Sequence, residues 1–357
     1  MTQGGLLTIL RMCLSELSNS DISKHYRIIA LVANKKLACY PNIMYLEFPK
    51  SKRRWVYRLF YEYIFFNRLS KRLKPVLWLS LHDMTPRVNT PVRATYMHNA
   101  TPFFEWTKQD WRYAKSYVLF ALFYKYLYRI NIHRNTYLIV QQNWLRDRFA
   151  KLFHFDKKKI IVARPASKSV DNADKHCVSN DQRVPMFFYP SLPHPFKNFE
   201  TVCEACEILK HKNDLKFQMC FTFDGSENRY AQWIVNAYQD NPNIRFLGLL
   251  DTETLKKRYQ QSTCLIFAST LETWGLPISE YIGYEKPMIL SDLMFAYETA
   301  QGSQVTTFFE PKNSQALAIK MQDILEKKIT EFHPIPITQI ENPVVKTFAD
   351  LINKLLA

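Results

Sequence analysis

Glycine is scarce, with seven in 357 residues, which argues against long flexible linkers. No low-complexity tract interrupts the chain, and 47% apolar content is that of a globular protein. The seven cysteines fall at irregular spacing, which excludes a disulfide framework and fits reduced cytosolic thiols. Cys203 and Cys206 lie within a helical pattern, so helix packing accounts for them better than a redox or zinc pair. The longest apolar run, 117–124, is broken by Lys125 and is too short to span a bilayer. No signal-peptide pattern opens the chain. Acidic residues are rare in the first half: residues 1–163 carry 28 Lys and Arg against 9 Asp and Glu, whereas 164–357 carry 20 against 23. The net charge of +16 therefore resides in the first half.

A one-sided basic charge implies a polyanionic partner. No RNP, zinc-finger or helix-turn-helix signature accompanies it, which disfavours nucleic acid. Segment 50–74 holds nine basic residues and one acid among many aromatics, and reads as a helix with one aromatic and one basic face. Segment 106–134 is similar. Basic and aromatic residues interleaved in this way suit an anionic membrane surface, although a solvated charged face has the same pattern.

Strand-like runs recur at 26–32, 43–48, 76–82, 92–98, 136–141 and 159–163, separated by helical or loop segments. A polar stretch follows, and a second series of strands and helices begins near residue 185. Such alternation predicts mostly parallel sheets flanked by helices, and the length predicts two domains. The boundaries expected are an N-terminal domain over 1–163, a linker over 164–184, a second domain over 185–333, and a crossing segment with a helix over 334–357. That last helix is expected to begin at Val344.

The most informative stretch is Ser269-Thr-Leu-Glu272-Thr273-Trp274-Gly275-Leu276-Pro277-Ile-Ser-Glu280. An apolar run over 264–268 leads into it as a buried strand, and Pro277 suits the first turn of a helix. The turn places two carboxylates beside helix N-terminal amides that attract phosphate. Carboxylates accept hydrogen bonds from sugar hydroxyls, so the pair points to a nucleotide-sugar. His98 closes a strand and is expected at the carboxyl edge of its sheet, where ligands bind in this architecture.

Together with Tyr189-Pro-Ser191-Leu-Pro-His194-Pro-Phe-Lys197-Asn198, Phe246-Leu-Gly248 and Gly283-Tyr-Glu-Lys-Pro287, this stretch resembles glycosyltransferase family 4, the retaining enzymes of the GT-B fold. The resemblance covers nearly the whole chain. It is specific over 185–300, and before residue 163 it rests on Gly4-Gly5, His98-Asn99 and the strand order. It implies an α/β fold of two Rossmann-like doubly wound domains facing across a cleft. Glu272 would hold the donor sugar's hydroxyls, Lys197 would neutralise the departing diphosphate, and His98 would face the donor sugar or support the acceptor. Gly4, Gly5, Ser191, Gly248, Thr273, Trp274, Gly275, Leu276 and Glu280 would complete the donor site, with Glu280 on the ribose. No metal or other cofactor is implied.

Two departures from the family pattern stand out. The Arg that usually precedes the Lys on its turn is absent, so diphosphate charge would be met elsewhere, with His194 and Ser191 as candidates. The strand that normally precedes the Gly-Gly loop is also absent, which predicts either a native chain starting upstream of Met1 or a sheet built without that strand. The expected function is a retaining transfer of sugar from a nucleoside-diphosphate donor to a glycan or polyprenyl-linked acceptor in surface polysaccharide assembly. The expected location is cytoplasmic, peripheral at the inner membrane face. The alternative is a truncated or non-catalytic GT-B binding protein.

Overall fold

The structure is a computed structural model, and it describes residues 5–165, 184–210 and 215–357. Gly4 and all but three residues of the expected linker 164–184 lie outside the described residues. The chain divides into two units, one made of Met1–Pro102, Phe123–Ala166 and Ile340–Ala357, the other of Phe103–Leu122 and Ser167–Gln339. Segment 103–122 is thus grouped with the later residues, whereas the sequence boundaries had it in the N-terminal domain. Its contacts explain the difference: Tyr113 stacks on Trp233 at 4.8 Å and Tyr117 on Phe196 at 5.5 Å.

The first unit opens with α1 (Gly5–Asn19) and α2 (Ile22–His25), then β1 (Ile28–Val32) and β2 (Ile43–Glu47). Next come α3 (Trp55–Phe60), a π turn (Tyr61–Phe65) and α4 (Phe66–Leu73). The single helix expected over 50–74 is therefore interrupted, and the wider turn redirects the side chains that follow it. Strands β3 (Leu77–Ser80) and β4 (Val92–Tyr96) follow, and the chain then gives α5 (Lys108–Tyr113) and the first half of α6 (Lys115–Arg129) to the second unit. Then β5 (Tyr137–Val140), α7 (Asn143–Phe153) and β6 (Ile160–Ala163) follow.

All strand pairs of this unit are parallel, in two sheets: β1 with β2, and β13-β6-β5-β4-β3, where β13 is Val344–Val345 near the end of the chain. The sheet is broken between β1 and β3, which do not pair, yet Ile28 of β1 and Leu77 and Leu79 of β3 pack against one buried cluster. Helix α1 buries Ile9, Cys13 and Leu17, spaced as one helical face. They meet Phe348, Leu351, Ile352 and Leu355 of the C-terminal helix, each such burial contributing about 1.5–3 kcal/mol.

The second unit continues with β7 (Met186–Tyr189), α8 (Phe199–Lys210), β8 (Gln218–Phe221), α9 (Arg229–Tyr238), β9 (Ile244–Phe246) and α10 (Thr252–Gln261). It is completed by β10 (Cys264–Phe267), α11 (Leu276–Ile282), β11 (Met288–Ser291), α12 (Met294–Thr299), β12 (Thr306–Phe309) and α13 (Ser314–Leu325). The six strands are parallel in the order β12-β11-β10-β7-β8-β9. Side chains of β7, β10 and β11 are buried throughout, as expected for strands covered on both faces. Helix starts follow side-chain caps: Asn228 accepts from Ala231 N–H, and Asp251 from the N–H groups of Glu253 and Thr254.

The chain ends in β13 (Val344–Val345) and α14 (Phe348–Leu356). The helix expected from residue 344 starts at Phe348, capped by Thr347. The two valines extend instead and pair with Val162 and Ala163 of β6, as β-branched residues favour.

Candidate active site

In the second unit the chain runs from β7 outward through β8 and β9, then returns to β10 and runs the other way through β11 and β12. Loops after β7 and β10 consequently diverge, and a crevice opens between them at the carboxyl ends of the strands. Lys197 lies on the first loop and Glu272 on the second.

The two loops are tied together by hydrogen bonds. Thr270 N–H donates to the Phe196 carbonyl at 2.7 Å, and Asn198 Nδ2 donates to the Ala268 carbonyl at 3.2 Å. Asn198 sits at φ +56°, which Asn tolerates better than most residues. This geometry turns Lys197 inward, where its Nζ pairs with Glu272 Oε1. Only 11% and 12% of the two side chains is exposed, so the pair is largely shielded from solvent. Ser269 Oγ donates to the same carboxylate oxygen at 3.0 Å. Tyr189 Oη, 3.0 Å from Ser269 Oγ, donates to the Lys197 carbonyl at 2.7 Å. The Lys197 ammonium also lies 5.2 Å from the centre of the Phe196 ring and 5.1 Å from that of Phe267.

Around this pair the remaining sequence candidates of the unit take different positions. Trp274 is buried and its indole N–H bonds Ser279 Oγ at 3.1 Å, so its side chain is part of the packing. Gly275 has φ +85°, and a Cβ there would stand 3.2 Å from Ile278 Cδ1; glycine is what lets the chain turn into α11. Thr273 and Leu276 flank it, half-buried. Glu280 accepts from Tyr259 Oη at 2.9 Å. Ser191 N–H donates to Thr222 Oγ1 at 3.0 Å, and Gly248, at φ +70°, has the Asp224 carboxylate beside it.

His194 stacks on Phe196. Burial, then the nearby Lys197, lower its pKa to about 4, so near neutrality it is an uncharged hydrogen-bonding group. It does not replace the charge of an absent arginine.

Sequence reasoning passed over Tyr189, Ser269 and Tyr117. Tyr117 comes from α6, stacks on Phe196, and lies half-buried near Glu272. Burial first, and then the Glu272 carboxylate, push its phenol well above the ordinary value. No local signal marks it, because only the packing of segment 103–122 brings it to the second unit. A cavity of about 170 Å³, lined by Phe104, Asp110, Pro195, Glu200 and Thr270 among others, adjoins these loops.

His98 belongs to the first unit, two residues beyond β4. It is buried, stacks on Tyr96 at 4.3 Å, and its backbone N–H donates to Asp83 Oδ1 at 2.6 Å. Burial, with His82 adding to it, lowers its pKa to about 3, so the ring is neutral. Gly5 is the first residue of α1.

Parallel sheets in two units, with an acid and a lysine at a switch point, define a GT-B architecture, and solved structures share it. The lipopolysaccharide outer core galactosyltransferase WaaB, in its apo form, superposes with a TM-score of 0.64 at 12% identity, over 92% of this chain and 88% of that one. The Anabaena protein HepE, solved with UDP and glucose, gives 0.57 at 12% identity, over 93% and 90%. Residues 172–336 match the family model of the glycosyl transferases group 1. That match covers just under half of the chain. In sequence it is 21% identical over 237 residues to the O-antigen chain mannosyltransferase RfbU of Salmonella typhimurium, an alignment covering 66% of this chain and 62% of that protein.

Proposed function

We propose that this protein transfers a sugar from a nucleoside-diphosphate donor to a hydroxyl of a lipid-linked or membrane-associated glycan in surface polysaccharide assembly, with retention at the anomeric carbon. The observation that carries this reading is the Lys197–Glu272 pair held at the β7/β10 switch point. In the reaction the anomeric C–O bond to the diphosphate breaks, a C–O bond to the acceptor forms, and the acceptor's proton leaves toward the departing phosphate. Negative charge grows on the diphosphate, where a shielded ammonium is most effective. Lys197 supplies it, with the amides around Gly275 alongside. Glu272 is then free to accept hydroxyls of the donor sugar, and Glu280 those of the ribose. Ser191 and Gly248 line the nucleotide side. UDP and glucose in HepE, and the mannosyltransferase name of RfbU, support a nucleotide-sugar donor.

The acceptor side is read from the surface. Val56, Phe60 and Ile64 are exposed along α3 and the π turn, and Phe123, Tyr126 and Ile130 along and just beyond α6. Basic residues such as Arg54, Lys125 and Arg129 lie among them. The two helices touch through Trp55 and Tyr124. An anionic membrane at the cytoplasmic face suits this combination. No helix among the described residues is long and apolar enough to cross a membrane.

Thermal shift with UDP- and GDP-sugars, followed by donor turnover in wild type and Glu272→Ala, tests the donor reading. Turnover should fall at least about a hundredfold in the variant, and equal rates would remove Glu272 from the site. Flotation with anionic liposomes at low salt tests the membrane reading, and absence of binding there overturns it. The broken sheet of the first unit favours one other reading, a binding protein without turnover. It would show a nucleotide-sugar thermal shift but no transfer.

A further inference from the structure

The loop that carries Lys197 has little backbone of its own to hold it. Between β7 and α8 it contains Pro190, Pro193 and Pro195, and a proline offers no N–H. One short turn, Pro195–Lys197, shapes its end, with Lys197 N–H donating to the His194 carbonyl at 2.8 Å. Side chains supply the rest of the hold, and Phe196 gathers them. Its ring lies 5.5 Å from that of Tyr117 at 27°, 5.4 Å from that of His194 at 8°, and edge-on to Phe104 at 6.5 Å. Tyr117 and His194 are near-parallel to each other as well, at 6.0 Å. The Lys197 ammonium stands 5.2 Å from the centre of the same Phe196 ring, so where the ring sits and where the ammonium sits are linked.

Tyr117 and Phe104 come from segment 103–122, which is built to present aromatic rings to the second unit. A capping box of Thr107 and Asp110 starts α5. The helix ends at Ala114, and α6 begins at Lys115, so Tyr113 and Tyr117 flank the break. Tyr113 stacks on Trp233 of α9 at 4.8 Å and 16°. Trp233 packs on Tyr230 at 5.8 Å, and the Tyr230 hydroxyl accepts from Phe199 N–H at 3.2 Å. The segment thus reaches the Lys197 turn from both ends, through Phe196 before it and through Trp233, Tyr230 and Phe199 after it.

Charge does not hold the segment there. The wall of the adjoining cavity carries Glu105 and Asp110 of the segment and Glu200 and Glu204 of α8, against Lys312. Like charges repel, so the rings carry the docking. Offset-stacked and edge-to-face pairs attract beyond the area that they bury, and removing one of them loosens the turn.

We propose that Tyr117 is a positioning residue: its ring, stacked on Phe196, fixes the turn that aims the Lys197 ammonium into the crevice. The phenol hydroxyl takes no part. The consequence for sugar transfer rests on the glycosyl-transfer reading above; the hold on Lys197 does not.

Competitive acetylation of the full chain, read by mass spectrometry at Lys197, measures the hold directly. Wild-type Lys197 should react slowly, because only 11% of its side chain is exposed. Tyr117→Ala should acetylate Lys197 about three to ten times faster, the worth of one stacked pair, with the other lysines unchanged. Tyr117→Phe keeps the ring and should match wild type. Tyr117→Leu keeps apolar bulk without a ring to stack, and repeats the test where the alanine variant folds poorly. Calorimetric titration with UDP and GDP gives the second readout. Tyr117→Ala or Tyr117→Leu should weaken binding by the same factor, Tyr117→Phe should not, and neither change should weaken it further in a Lys197→Met background. Unchanged acetylation in the alanine and leucine variants, an equal effect in Tyr117→Phe, or an undiminished effect on Lys197→Met each overturns the proposal. Acetylation as expected in a wild type that binds neither nucleotide would sink the donor reading and leave the positioning role standing.

Discussion

Replacing Glu272 by Gln should destabilise the second unit and, at the same time, tighten its hold on a nucleoside diphosphate. Without substrate the charge of Lys197 is spent on Glu272, in a setting where both side chains are nearly nine-tenths buried. Removing one partner of a fully buried pair costs about 3–5 kcal/mol. Gln retains a carbonyl for Ser269, and the Phe196 and Phe267 rings still receive the ammonium, so a loss of about 2 kcal/mol is expected. For a unit of this size that corresponds to a drop of about 4–8 °C in melting temperature. An unopposed Lys197 should then bind UDP or GDP about tenfold more tightly than in wild type, because the diphosphate no longer competes with a carboxylate. Scanning calorimetry of wild type, Glu272→Gln, Lys197→Gln and the double variant, each with and without nucleotide, measures both effects. Strictly additive stabilities in this cycle, with no gain in nucleotide affinity, would refute the coupling.

Three further expectations concern the surroundings. Burial raises the pKa of Glu200 from 4.5 to about 7, against the opposing bond from Tyr230. The folded state thus holds the proton longer than the unfolded one, and stability should fall as pH rises from about 4.5 to 7 and level off above. Urea unfolding at both ends of that window should show a difference of order 1 kcal/mol that Glu200→Gln abolishes. Gly275→Ala should cost about 1–2 kcal/mol through its left-handed φ and the contact with Ile278, and lower nucleotide affinity in a thermal-shift titration. Arg146 is fully buried and donates to the Glu341 carbonyl at 2.7 Å. Arg146→Met should cost about 2–4 kcal/mol and expose the segment before α14 to limited proteolysis.

Much of the fold was legible because parallel strands buried on both faces are short, continuous apolar runs. β7 and β10 could be placed within a residue or so, and caps such as Asp251 mark the helix starts. The π turn was not legible: residues 61–65 read as ordinary helix by period, and the extra residue per turn follows from where Glu62 finds His82. The start of α14 was misplaced because an apolar Val-Val pair fits either element until β6 is there to receive it. His194 could be taken for a cation from its place beside Lys197. Burial, which sequence does not show, makes it neutral.

By itself the sequence determined the alternation of strands and helices, the concentration of basic charge before residue 163, and the spacing of Glu272 and Glu280 across a strand-to-helix turn. These are local properties, set by side-chain period and backbone preference over a few residues. Only the tertiary structure decided that Lys197 meets Glu272, that Tyr117 packs near them, and that Glu62 turns inward to His82. Each of these contacts joins segments distant in the chain. Strand order and loop anchoring decide which distant groups share a crevice, and burial then decides their charge.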